Sequence, residues 1–114
     1  MSEESKPKTE IKRMGDKFDS GKPMIRFLSK EFIDQTAIAQ SYGAKKYGPW
    51  NFQKGIETTA LYDAAMRHLI AWMNGEDSDP ESGNSHLGHA SANLNMLIWM
   101  LANKPEMDDR PPKG

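Results

Sequence analysis

The stretch Leu94-Asn95-Met96-Leu97-Ile98-Trp99-Met100-Leu101 constrains this chain more than any other feature. Wound into a helix, its apolar side chains point in nearly every direction, and a helix of that kind has to be buried on most sides. Val is absent from the sequence and no stretch alternates with period two, so no sheet is available to cover it. The cover must be helical, and the fold class is all-α. The first of three predicted helices runs from Lys30 to Tyr47, with Ser29 as N-cap and Gly48-Pro49 as the stop. The second runs from Thr59 to Asn74, capped by Thr58 and ended at Gly75. Its inward stripe is Leu61, Ala64, Ala65, His68, Leu69 and Trp72, the spacing of an amphipathic helix. The apolar stretch belongs to the third, from His86 to Asn103, capped by Ser85.

Three short helices cannot surround one of their own members. Burial against another copy of the chain resolves the difficulty; the alternative is that the connecting loops fold over the third helix. The expected architecture is a small bundle of three main helices with an extended N-terminal arm, completed by homo-oligomerisation to a dimer or higher. Leu94, Leu97, Ile98 and Leu101 would form the interface. With 114 residues there is room for one domain. Residues 1–17 and 104–114 are charged or Pro-rich and read as flexible tails, which leaves 18–103 as the folded unit.

Composition narrows the function. Lys and Arg number 15 against 16 Asp and Glu, net −1, which disfavours a nucleic-acid partner. The absence of cysteine excludes disulfides, thiol nucleophiles and Cys-ligated zinc. The longest apolar run is about half of a membrane span, and the N-terminus lacks the apolar stretch of a signal peptide. A soluble, cytoplasmic chain without a membrane partner is expected.

The three histidines all fall between His68 and His89, around a loop rich in carboxylates that includes Glu76, Asp79 and Glu81. His86, His89 and Asn93 share one face of the third helix, and His68 lies on the inward side of the second, where Asp63 precedes Arg67 by four residues. Imidazoles with carboxylates suit Mn²⁺, Zn²⁺ or Fe²⁺, and carboxylates alone suit Mg²⁺. Each feature also has a plain structural explanation: a core histidine, a surface ion pair, a solvated connector. A second cluster closes the first helix. Lys45 and Lys46 could bind phosphate, Tyr47, Trp50 and Phe52 offer faces for a base, and Asn51 could read a base edge; the alternative is a helix end whose lysines suit the dipole. Lys22 sits in a turn that lacks the usual phosphate-loop pattern.

Taken in order, Asp19-Ser20-Gly21-Lys22-Pro23, Gly43-Ala44-Lys45-Lys46-Tyr47-Gly48 with Asn51, Asp63-Ala64-Ala65 with Arg67-His68, Gly75-Glu76 with Asp79 and Glu81-Ser82-Gly83, and His86-Leu87 with His89-Ala90 and Asn93 resemble a phage-encoded family described as dATP/dGTP diphosphohydrolase, N-terminal. The resemblance runs from about Lys17 to Leu101. It implies a helical protein of purine deoxynucleotide metabolism, grouped by name with metal-dependent pyrophosphohydrolases of the MazG type, acting in the host cytoplasm if phage-encoded. Those enzymes place metal ligands as ExxE and ExxD on successive helices. Here an ExxD, Glu31 to Asp34, opens the first helix, ahead of the central helices. A divalent metal, Mg, Mn or Zn, would instead be held by Asp63, His68, His86 and His89, with Glu76 or Asp79 as general base. Lys22, Lys45, Lys46, Tyr47, Trp50, Asn51, Arg67 and Asn93 would bind a purine deoxynucleoside triphosphate, cleaved to monophosphate and pyrophosphate. The alternative is a module that sequesters a nucleotide or cyclic nucleotide without turnover.

Overall fold

The computed structural model describes residues 21–112. The expected N-terminal tail, with Asp19 and Ser20 of the first motif, lies outside the described residues. Three helices carry the fold: α1 is Lys30–Tyr47, α2 is Thr58–Met73 and α3 is His86–Asn103. Both α1 and α2 pack on α3, which is therefore the central helix. Among the described residues there is no strand beyond an isolated antiparallel bridge between Ser78 and Ser85. No helix there is long and apolar enough to cross a membrane.

Local chemistry sets two of the three helix starts. Ser29 Oγ accepts from the Phe32 N–H at 3.0 Å, and Ser85 Oγ accepts from the N–H groups of Leu87 and Gly88 at 3.1 and 3.4 Å. The start of α2 differs from expectation. Thr58 is not its cap but its first helical residue, and it is buried. The cap is Asp109, whose carboxylate accepts from the Thr59 N–H at 2.9 Å, the Thr59 hydroxyl at 2.6 Å and the Thr58 hydroxyl at 3.1 Å. An acidic group there satisfies free N–H donors and complements the positive end of the helix dipole. The segment expected as a C-terminal tail thus folds back: a 3-10 turn at Pro105–Met107 carries Asp109 to the head of α2.

Small side chains bring the helices together. Ala39, Ala65, Ala90 and Ala92 are buried, with Leu61 and Met100 the larger members of the core. Gly88 lies against the backbone of α1, so close that a Cβ there would stand 2.8 Å from the Gln35 carbonyl oxygen. Thr36 Oγ1 and Ser91 Oγ join the same two helices at 2.5 Å. The apolar stretch of α3 is only half covered. Met100 is fully buried, yet Leu94, Ile98 and Leu101 remain 46%, 68% and 40% exposed. Among the described residues no loop covers them.

Candidate functional site

Between α2 and α3 the chain makes a hairpin. Besides the Ser78–Ser85 bridge, the Asp79 N–H donates to the Asn84 carbonyl at 2.8 Å and the His86 N–H to the Asp77 carbonyl at 2.9 Å. Gly83 takes the left-handed conformation that the turn needs, φ +75°. The Asp79 carboxylate also accepts from the Ser82 N–H at 3.1 Å, which fixes its direction.

This hairpin brings all three histidines together. His68 Nδ1 and His86 Nδ1 stand 2.8 Å apart, and the His68 ring stacks on His89 with centroids 4.7 Å apart and planes at 15°. His86 is only 4% exposed, and its Nε2 donates to Glu76 Oε1 at 2.7 Å. His89 Nε2 lies 2.6 Å from Ser82 Oγ and 4.0 Å from Asp79 Oδ2, with the Tyr42 ring edge-on to it. Burial, then the neighbouring imidazoles, hold His68 below its ordinary pKa; burial outweighs Asp79 in lowering His89. One donor atom each from His68, Asp79 and His86 lie within 4.8 Å of one another, a mixed nitrogen and oxygen set able to hold a divalent metal.

The cluster opens into a cleft of about 860 Å³. Its walls come from α1, α2 and the connector between them, and its floor from α3; alanines at 39, 44, 60, 64 and 92 leave the room. Phe52 packs edge-on against Trp99, ten residues or about 15 Å along α3 from His89. Of the lining aromatic groups, Phe52 is thus held at a distance from the imidazoles, whereas Tyr42 stands against His89. Trp50, also in the lining, is 71% exposed on a left-handed backbone, φ +62°, unusual for a bulky residue and typical of strained functional loops. Across the cleft mouth the Tyr42 hydroxyl donates to Glu81 at 2.6 Å, and Lys46 Nζ donates to the same oxygen at 2.5 Å. Those bonds hold the Glu81 carboxyl below its usual range and raise both donors.

Of the residues singled out from sequence, Lys46, Tyr47, Trp50, Asn51, Arg67, His68, Asp79, His89 and Asn93 line the cleft. Lys22, Lys45, Asp63, Glu76 and His86 do not. Lys45 is exposed and stays outside the lining that its neighbours Ala44 and Lys46 join. Asp63 is exposed, outside the metal-competent group, and forms no ion pair with Arg67. Glu76 bonds His86 and does not line the cleft. Asn93 donates its amide to the His89 carbonyl of its own helix at 2.9 Å. Sequence reading gave no role to Tyr42, and to Glu81 and Ser82 only a place in the carboxylate-rich loop and the family motif. Tyr42 is one turn before Lys46 on the same helix face, a spacing that could have flagged it.

The profile of the family described as dATP/dGTP diphosphohydrolase, N-terminal, matches residues 12–110. A protein of Salmonella phage PMBT28 named dATP/dGTP diphosphohydrolase is 36% identical over 96 residues, covering 84% of this chain and 33% of that protein. The chain thus spans about a third of the length of that curated relative. No solved structure matches it.

Proposed function

The chain belongs to the dATP/dGTP diphosphohydrolase N-terminal family, and on that premise we propose that its cleft binds a purine deoxynucleoside triphosphate and hydrolyses it to monophosphate and pyrophosphate, with a divalent cation, in the host cytoplasm of a phage or prophage. The observation that carries this reading is the lining of the cleft, which holds aromatic faces, two cations, two imidazoles and carboxylates, with Phe52 packed on Trp99 about 15 Å along α3 from His89. Such a lining suits a base stacked on one of the aromatic faces, Tyr47 or Trp50 among them, with its triphosphate running toward His89.

Lys46 and Arg67 complement phosphate charge along the way, Lys46 exchanging Glu81 for the ligand. A bound divalent cation neutralises phosphate charge and acidifies water. His89, kept neutral at pH 7 by burial, accepts the proton of the attacking water while Ser82 holds its ring. Water oxygen then bonds to the α-phosphorus, the α–β bridging bond breaks, and pyrophosphate leaves.

The exposed stripe of Leu94, Ile98 and Leu101 supports assembly with further copies of the chain, because so small a core leaves large apolar side chains in water. Light scattering should report a dimer or higher, and Ile98→Glu should dissociate it. For the activity, each dNTP is incubated with Mg²⁺ or Mn²⁺ and the products separated by anion exchange. Monophosphate and pyrophosphate from dATP and dGTP are expected. Unchanged nucleotide with a thermal shift would favour the sequestering module; unchanged nucleotide and no shift would refute both.

A further inference from the structure

We infer that His68, His86 and Asp79 form a resident site for one transition-metal ion of the Mn²⁺, Fe²⁺ or Zn²⁺ class, which the chain binds without nucleotide. The inference deepens the hydrolase reading and rests on it only for the use of the ion; the binding rests on geometry. His86 sits 4% exposed with its Nε2 hydrogen given to Glu76. Its other nitrogen, Nδ1, therefore faces His68 Nδ1 across 2.8 Å. A gap that short admits a single hydrogen, so at least one nitrogen presents a lone pair to the other. A cation can occupy the same place and use both, with Asp79 as an anionic third ligand within 4.8 Å.

Two nitrogens bound to a tetrahedral ion stand about 3.3 Å apart. Binding thus opens the contact by about half an ångström, a small rotation of two rings. Glu76 then does what carboxylates do behind metal-bound imidazoles: it fixes the tautomer and raises the basicity of the ligating nitrogen. Two imidazoles and one carboxylate favour a borderline transition metal over Mg²⁺, which prefers oxygen ligands throughout.

The test uses the full chain, free of any affinity tag and stripped with a chelator, titrated with Co²⁺ by visible absorption and with Zn²⁺ by calorimetry. One ion per chain is expected, with Mg²⁺ a poor competitor. Asp79→Asn and His68→Ala should each weaken binding at least about tenfold, and Glu76→Gln about ten- to a hundredfold. Circular dichroism checks that each variant is folded; Asp79→Asn and Glu76→Gln alter groups outside the buried core and keep the test valid if His68→Ala unfolds. No Co²⁺ or Zn²⁺ uptake by the folded chain, or uptake that Asp79→Asn and Glu76→Gln leave unchanged, overturns the site. Uptake weakened by these variants in a chain that hydrolyses no dNTP keeps the site and removes the hydrolase reading. Full dNTP turnover with Mg²⁺ in a chain that takes up no transition metal does the reverse.

Discussion

Replacing Gly88 by Ala sets two effects of known size against each other. In an ordinary helix interior the change stabilises by about 1 kcal/mol, because glycine is the more costly residue to order. At this position the added methyl would stand 2.8 Å from the Gln35 carbonyl oxygen and 3.3 Å from the Gln35 carbonyl carbon and Cβ. Two of those three atoms belong to the backbone of α1, so no rotamer change relieves the contact. Overpacking of this sort costs about 1–3 kcal/mol, and a backbone clash belongs at the upper end. The net expectation is a loss of about 1–2 kcal/mol, a Tm lower by roughly 5–15 °C for a domain of this size. Pushing α1 away from α3 also draws Tyr42 and Lys46 from His89 and Glu81, so nucleotide affinity should fall with stability. Gly43→Ala is the control: it is also helical, and its Cβ would meet nothing within 4 Å. That variant should melt higher than the parent. If calorimetric melting shows Gly88→Ala gaining stability as Gly43→Ala does, α1 and α3 are not in the contact described.

Acidification should weaken the fold through the two half-buried histidines of the cluster. His68 and His89 are held below the ordinary value of 6.5, so an unfolded chain takes up protons that the folded chain refuses. Their contribution is complete above about pH 6.5 and is lost as pH falls through the window below it. Urea midpoints in chelator-containing buffer should therefore drop from neutral pH toward about pH 5, and a flat profile would count against burial of the cluster. Lys46→Ala should lower nucleotide affinity severalfold in a fluorescence titration, whereas Lys45→Ala leaves it near the parent, because only Lys46 lines the cleft; equal effects would contradict that division. Asp109→Ala should lower Tm by less than Gly88→Ala does, through loss of the α2 cap. An unchanged Tm would mean that the C-terminal segment does not engage α2 in solution.

The bounds of α1 and α3 could be read from sequence because their signals are local. A serine cap, a Gly-Pro stop and apolar spacing act within a few residues of the helix they define. The start of α2 could not be read in this way. Its cap arrives from Asp109, some fifty residues downstream, in a segment whose composition suggests only a tail. The burial of α3 was half legible. Periodicity says that the helix must be covered, but not which sides its own chain covers, and Gly88 against Gln35 shows that contact with α1 is governed by a missing side chain.

The histidine cluster was legible for the same reason as the helices. Once His86 and His89 are one turn apart and His68 is on an inward stripe, a short connector leaves little choice but convergence. The roles of the loop carboxylates were not, because Glu76, Asp79 and Glu81 differ in position along a hairpin and not in type. Bonds that no spacing encodes decide their directions: the Asp79 N–H to Asn84, the left-handed turn at Gly83 and the Ser82 N–H to Asp79. As a result Glu76 turns to His86, Asp79 turns into the cleft and Glu81 reaches across to α1. A single residue inserted between Asp79 and Gly83 would break that ordering while leaving every helix signal intact. The roles of the loop carboxylates are therefore set by the hairpin, while the helices supply the rings and cations that it meets.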